Sequence, residues 1–212
     1  MHSFIKAIKV LEWLKKKSNS VCITTSFQKN GIVLLDLIYN LFGEVPWVVY
    51  SINTGFLFGE TFDFSKEIIR KYNINFEWIN PTSCPGLNDQ DLCCQERKVN
   101  PLFKKVKGKK YWVNAIRSSQ TDNRKSFNSE KYFDSDKEIT RIMPLLQCDS
   151  KDIENYIVEN NLPMHPLYEK GYSSIGCYPC TSPTFGNLDD RSGRWADSNK
   201  IECGLHVAKG KE

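Results

Sequence analysis

Apolar residues recur along this chain in short blocks, and their spacing separates helices from strands. Ile5, Ile8, Leu11 and Leu14 share one helical face, which predicts a helix over residues 4–17. Residues 21–25 are short, apolar and β-branched, the pattern of a buried strand. The polar, turn-like segment 26–31 leads into a buried helix over 32–41. A second apolar run, 47–52, ends at Asn53-Thr54-Gly55, a turn signal. A helix over 60–71, a strand over 75–79 and a loop over 81–88 follow, and then a helix from Asp89 that carries Cys93 and Cys94. Strands are expected at 111–116 and 139–143. Between them, 117–137 is polar with few apolar anchors and reads as a long loop or flap. Asp149 is placed to cap a helix over 151–159. Beyond Leu162 the chain is rich in Gly, Pro, Cys and aromatics, with little periodicity.

Strand and helix alternate, which predicts an α/β fold: a parallel sheet with helices on both faces. Such sheets bind ligands at the carboxyl ends of their strands. Segments 26–31 and 53–55 and the residues after Ile116 are therefore the candidate substrate loops. One domain is expected over 1–195. The polar, Gly-containing stretch 196–212 is expected to be a mobile C-terminal tail.

Composition narrows the function classes. Of 212 residues, 40% are hydrophobic and 25% charged, as in ordinary soluble proteins. The net charge of +4 is too small for bulk nucleic-acid binding and suits a small anionic substrate where cations converge. No run reaches the roughly 18 apolar residues of a membrane span. Residues 1–17 lack the apolar core and cleavage site of a signal peptide and read as an exposed first helix rather than a surface anchor. A cytoplasmic protein is expected. Eight cysteines in such a chain read as metal ligands or catalytic thiols rather than disulfides.

Cys93-Cys94 and Cys177-Tyr178-Pro179-Cys180 supply four thiolates from two regions, the number an iron–sulfur cluster or a structural zinc requires. Spacing alone does not separate the two metals. Cys203 stands apart in the tail, where a mobile segment can carry a thiol into a pocket and then present it to a partner; nearby His206 or a Lys could favour its thiolate. Cys22 falls in a buried strand, and Cys84 and Cys148 near loops, with no chemistry assigned. Arg191 and Arg194 lie three residues apart, Arg117 and Arg124 flank a polar loop, and Lys98 follows Cys94 by one helical turn. Guanidinium forks suit phosphate and sulfate.

Five segments together resemble the sulfonucleotide reductases, specifically the cluster-containing assimilatory adenylyl-sulfate reductases. They are Ser51–Thr61, Cys93–Leu102, Arg117–Arg124, Gly171–Thr181 and Glu202-Cys203-Gly204-Leu205-His206. The likeness spans about Val21 to His206. It implies a PP-loop type fold, similar to the adenine nucleotide α-hydrolases. Cys93, Cys94, Cys177 and Cys180 would bind a 4Fe–4S cluster. Cys203 would attack the sulfur of the nucleotide, leaving an S-sulfocysteine from which thioredoxin or a glutaredoxin-like dithiol releases sulfite. Ser26, Asn53, Gly55, Lys98, Arg117, Arg124, Arg191 and Arg194 would line the sulfonucleotide. A homo-oligomer is compatible with the likeness.

The sequence departs from that pattern in its first loop, where Gln28-Lys29-Asn30-Gly31 replaces the usual glycine and acidic residues, at Asn53 in place of Asp, and at Ser118 in place of a second Arg. Two other readings are weighed. An ATP pyrophosphatase or sulfur-transfer enzyme of the same fold needs a Gly-rich loop to cradle pyrophosphate, which 26–31 lacks. A non-catalytic, cluster-bearing nucleotide sensor has no use for the Cys203 tail.

Overall fold

A computed structural model describes residues 4–17, 20–185, 191–196, 198 and 200–206. Among these, six strands form one sheet: β1 (Val21–Thr24), β2 (Val48–Ile52), β3 (Phe76–Ile79), β4 (Tyr111–Val113), β5 (Lys131–Asp134) and β6 (Ile139–Ile142). Their order is β3-β2-β1-β4-β6-β5. All neighbours pair in parallel except β5, which runs antiparallel to β6. The expected parallel sheet is present, with one antiparallel strand at its edge. The expected flap 117–137 is corrected too: it holds a short turn at Ser118–Gln120, the one-turn helix α6 (Asp122–Lys125) and β5 itself. Phe127, 2% exposed, and Tyr132 anchor it against Met143 and Leu146.

Helices cover both faces. The alternation of side chains along each strand sends Val21, Ile23, Val49, Val113 and Ile142 to one side. There they meet α1 (Ile5–Lys15), α2 (Lys29–Phe42), α3 (Gly59–Lys71) and α7 (Ser150–Glu159) in the main core. Cys22, Tyr50 and Trp112 point the other way, onto α5 (Asn100–Val106) and onto Leu205 of the C-terminal segment. Asp149 caps α7 as expected, accepting from the Asp152 amide at 2.8 Å.

The α2 helix begins three residues earlier than its apolar pattern implies. Gly31 lies inside its first turn because a Cβ there would collide with the Thr25 hydroxyl. At α4 (Gln90–Cys94) the chain widens into a π-turn over Gln95–Val99 before α5 resumes. Among the described residues no helix is long and apolar enough to cross a membrane.

His165, 1% exposed, gives the fold an acid limit. Its Nδ1 accepts from the Leu167 amide at 3.2 Å, so Nε2 carries the proton and donates to the Thr61 hydroxyl at 3.0 Å. Burial pulls its pKa down to about 4. The unfolded chain therefore takes up this proton below pH 6.5 while the folded chain does not, and stability falls as pH drops from there toward 4. The expected loss is about 3 kcal/mol over that window. Urea midpoints measured against pH should show it, and His165→Gln should flatten that limb.

Candidate active site

In this strand order the chain reverses between β1 and β4, which opens a crevice at their carboxyl ends. A cavity of about 240 Å³ occupies it. Thr24 at the end of β1 with Thr25 and Ser26 beyond it, Ser51, Ile52 and Thr54 at the end of β2, and Asn114–Arg117 after β4 form its floor. The first turn of α2, Lys29 to Gly31, lines it, and the positive end of that helix favours an anion. Gln28 ties this loop to the second cysteine segment: its Oε1 accepts from the Ile175 amide at 2.9 Å and its Nε2 donates to the Ser26 hydroxyl. The Asn114 Nδ2, Ser173 Oγ, Trp195 Nε1 and His206 Nδ1 atoms are buried without hydrogen-bond partners, and all four residues line this cavity. Buried polar atoms cost free energy when unpaired, so their convergence marks a site built for a polar ligand or bound water.

The four clustered cysteines meet beside it. Cys93, Cys94, Cys177 and Cys180 line one small second cavity together with Arg97 and Lys98. The first three are buried. Two backbone contacts dock the second segment on the turn after β2: Leu57 bridges Cys177, and the Tyr178 amide donates to the Phe56 carbonyl at 2.8 Å. Thr54 Oγ1 lies 3.2 Å from Cys177 Sγ. None of the eight cysteines is in a disulfide. Burial pushes the Cys94 thiol up to about 11, so ionising it needs a cation or metal beside it. Four thiols on one cavity, with a hydroxyl donor and two cations in the wall, fit a thiolate-ligated metal group. Among the described residues no three His, Cys, Asp or Glu side chains close around a single-ion position. Cys22 and Cys148, 0% and 2% exposed, are pushed by burial to about 12 and are core thiols. Cys84 is exposed.

Most expected anion-binding residues converge. Ser26, Lys98, Arg117, Arg124, Arg191 and Arg194 all line the large cavity. Lys98 also lines the cysteine cavity, as do Thr54 and Cys177, so these three form the partition between them. Burial opposes the charge on Lys98, but the sulfurs of Cys177, Cys203 and Cys94 outweigh that and raise its pKa. Arg194 lies against Gly176, where a Cβ would overlap its guanidinium, and over the Trp195 ring at 4.5 Å. Asn53 and Gly55 are not among the lining residues. Asn53 Oδ1 instead accepts from the Gly55 amide at 3.0 Å, shaping the turn from behind. Arg97, which the sequence reading passed over, holds that turn: it donates to the Thr54 carbonyl at 2.9 Å and the Pro85 carbonyl at 3.0 Å.

The C-terminal segment enters the same cavity. Residues 197, 199 and 207–212 of the expected tail lie outside the described residues. The described part is docked: Leu205 is buried, Arg141 donates to its carbonyl at 2.8 Å, and His206 stacks on Trp112 at 5.7 Å. Cys203 is half-buried in the cavity wall. Burial, then Arg124, Arg141 and Arg191, hold the His206 pKa well below its ordinary value. Its imidazole is neutral at pH 7 and supplies no positive charge to Cys203. The field of Lys98 does. Glu202 was legible only as part of a motif; here its carboxylate receives Arg124 and Arg191.

The adenosine 5′-phosphosulfate reductase of Lysinibacillus sphaericus is 34% identical over 94% of this chain and 90% of that protein. The phosphoadenylyl-sulfate reductase of Candida auris superposes with a TM-score of 0.71 at 24% identity, over 84% of this chain and 91% of that one. The FMN adenylyltransferase of Candida glabrata gives 0.66 at 17% identity, over 98% and 76%. These two structures share the fold, a mostly parallel α/β sheet covered by helices. Residues 20–183 match the phosphoadenosine phosphosulfate reductase domain, so the chain belongs to that family.

Proposed function

We propose that this chain reduces a sulfonucleotide, adenylyl sulfate in preference to its 3′-phosphorylated form, to sulfite. The observation that carries the reading is Cys203 lining one cavity with Lys98, Arg117 and Arg194, at the strand ends where this fold takes nucleotides. The Cys203 thiolate attacks the sulfate sulfur. A sulfur–sulfur bond forms, the sulfur–oxygen bond to the phosphate breaks, and AMP departs with that electron pair. A dithiol of the thioredoxin or glutaredoxin kind then attacks Cys203 Sγ and expels sulfite, and its second thiol resolves the mixed disulfide. The dithiol is oxidised to a disulfide, the sulfate sulfur is reduced, and Cys203 returns as a thiol. For this second step the tail leaves its seat, since the described conformation keeps Cys203 half-buried.

Cys93, Cys94, Cys177 and Cys180 hold a 4Fe–4S cluster in this reading. When bound, it would tie the two cysteine segments together and hold them rigid next to Lys98, the cation shared by both cavities. Cys177→Ser should therefore yield a colourless anaerobic preparation with iron and sulfide near zero, where the wild type is brown. Zinc without iron in the wild-type protein would contradict the cluster. The soluble fold and reducing chemistry suit a cytoplasmic setting.

Sulfite release measured from each nucleotide with thioredoxin present tests the whole reading. Faster release from adenylyl sulfate is expected. ATP cleavage to AMP with no sulfite from either nucleotide would overturn it.

A further inference from the structure

Arg124 and Arg191, both gathered as anion binders, face a carboxylate of the chain itself. The Arg124 guanidinium grips Glu202 as a fork, Nε to Oε1 at 2.7 Å and Nη2 to Oε2 at 3.2 Å. The Thr121 hydroxyl donates to Oε1 at 3.1 Å. Arg191 Nη2 lies 3.6 Å from Oε2 and donates to the Ile201 carbonyl at 3.1 Å. The Glu202 side chain is 3% exposed and that of Arg124 7%. Charge-assisted forks of this kind are short, directional and costly to break when buried. Cys203 is the next residue. On its other side the chain is held by Arg141 at the Leu205 carbonyl and by Trp112 under His206.

The geometry assigns Glu202 as the positioning residue of the nucleophile, and Arg124 as the receptor of the tail rather than of the substrate anion. The carboxylate locks the tail on one side of Cys203, the Leu205–His206 anchor locks it on the other, and the sulfur is held at the cavity between them. Lys98, Arg117 and Arg194 line the same cavity and are the cations assigned to the sulfonucleotide. Arg191 serves both, since burial and the adjacent Arg124 lower its pKa only to about 10 and it stays charged. Release of the tail to the reductant breaks the fork. The inference rests on Cys203 being the nucleophile.

The test uses the intact, cluster-loaded chain with Glu202→Ala and Glu202→Gln, and reads two quantities. The first is the rate of S-sulfo adduct formation at rising adenylyl sulfate. The second is alkylation of Cys203 by iodoacetamide without nucleotide, followed on its tryptic peptide. Glu202→Ala should lower the maximal adduct rate about 30-fold or more, with the half-saturating nucleotide concentration within about twofold. Alkylation should rise about tenfold as the sulfur leaves its seat, and Glu202→Gln should fall between Ala and wild type. Unchanged visible absorption and circular dichroism certify the fold of each variant. A maximal rate and alkylation both near wild type would overturn the assignment, as would a rise in half-saturation alone, which would place Glu202 in substrate binding. If the wild type itself forms no adduct, the nucleophile reading fails, while the alkylation readout still reports on the latch.

Discussion

Cys203→Ser is expected to lower kcat for sulfite release by about 10⁴-fold or more, because a hydroxyl cannot replace the thiolate at either step. A serine alkoxide is scarcely populated at neutral pH, and a sulfate ester formed on serine cannot be opened by a dithiol. The side chain loses one heavy-atom identity and little volume, and Cys203 is half-buried rather than a core residue, so the fold and nucleotide binding should survive. Sulfite assays with thioredoxin, paired with equilibrium nucleotide binding, separate lost chemistry from lost structure. Cys84→Ser, on an exposed thiol remote in role from the cavity, is the matching control and should keep wild-type rates. Residual turnover within about tenfold of wild type in Cys203→Ser would move the nucleophile elsewhere.

Lys98→Ala is expected to cost about 10²–10³ in kcat, or about 3–4 kcal/mol of barrier. Lys98 stands in the partition between the two cavities, and the sulfurs of Cys177, Cys203 and Cys94 act on its charge. A thiolate approaching an anionic sulfate ester meets repulsion, and a fixed ammonium at that partition screens both partners where water does not. Preorganised charge of this sort acts most strongly where charge is redistributed in the transition state, so the effect falls on kcat more than on KM. Lys98→Arg keeps the charge on a bulkier head and should recover part of the loss. An equal rise in KM with kcat unchanged would show that Lys98 only binds the ground state.

Much of the frame was legible because it rests on local pattern. Residues 21–25, 47–52 and 139–143 read as strands because their apolar runs are buried on both faces, and all three are strands. The edge strand β5 was not legible. Lys131 and Phe133 face solvent and Tyr132 packs inward, so Lys131–Asp134 offers no apolar run, and its pairing with β6 is a tertiary contact. The π-turn at Gln95–Val99 leaves no mark in residue type, yet it sets where Arg97 and Lys98 stand. The early start of α2 was hidden because Gly31 ordinarily marks a turn; only its contact with Thr25 explains a glycine inside the helix.

The site divided in the same way. Cysteine and arginine types and order pointed to the cavity, and six of the eight expected substrate residues line it. Asn53 and Gly55 fall outside the lining, since a turn at a strand end and a ligand loop share one composition; here the Asn53 Oδ1 accepts from the Gly55 amide. The polar tail read as mobile, whereas its seat depends on Arg124, Arg141 and Trp112, each more than sixty positions away.

The central claim is that the C-terminal thiol takes the sulfonate from the nucleotide. Incubating the intact chain with adenylyl sulfate in the absence of reductant, then weighing the tryptic peptide that follows Lys200, measures that transfer itself. The account expects this peptide to gain the mass of one SO₃ group and to lose it when thioredoxin is added, with sulfite appearing in equal amount. An unmodified Cys203 peptide in a preparation that still releases sulfite would contradict it.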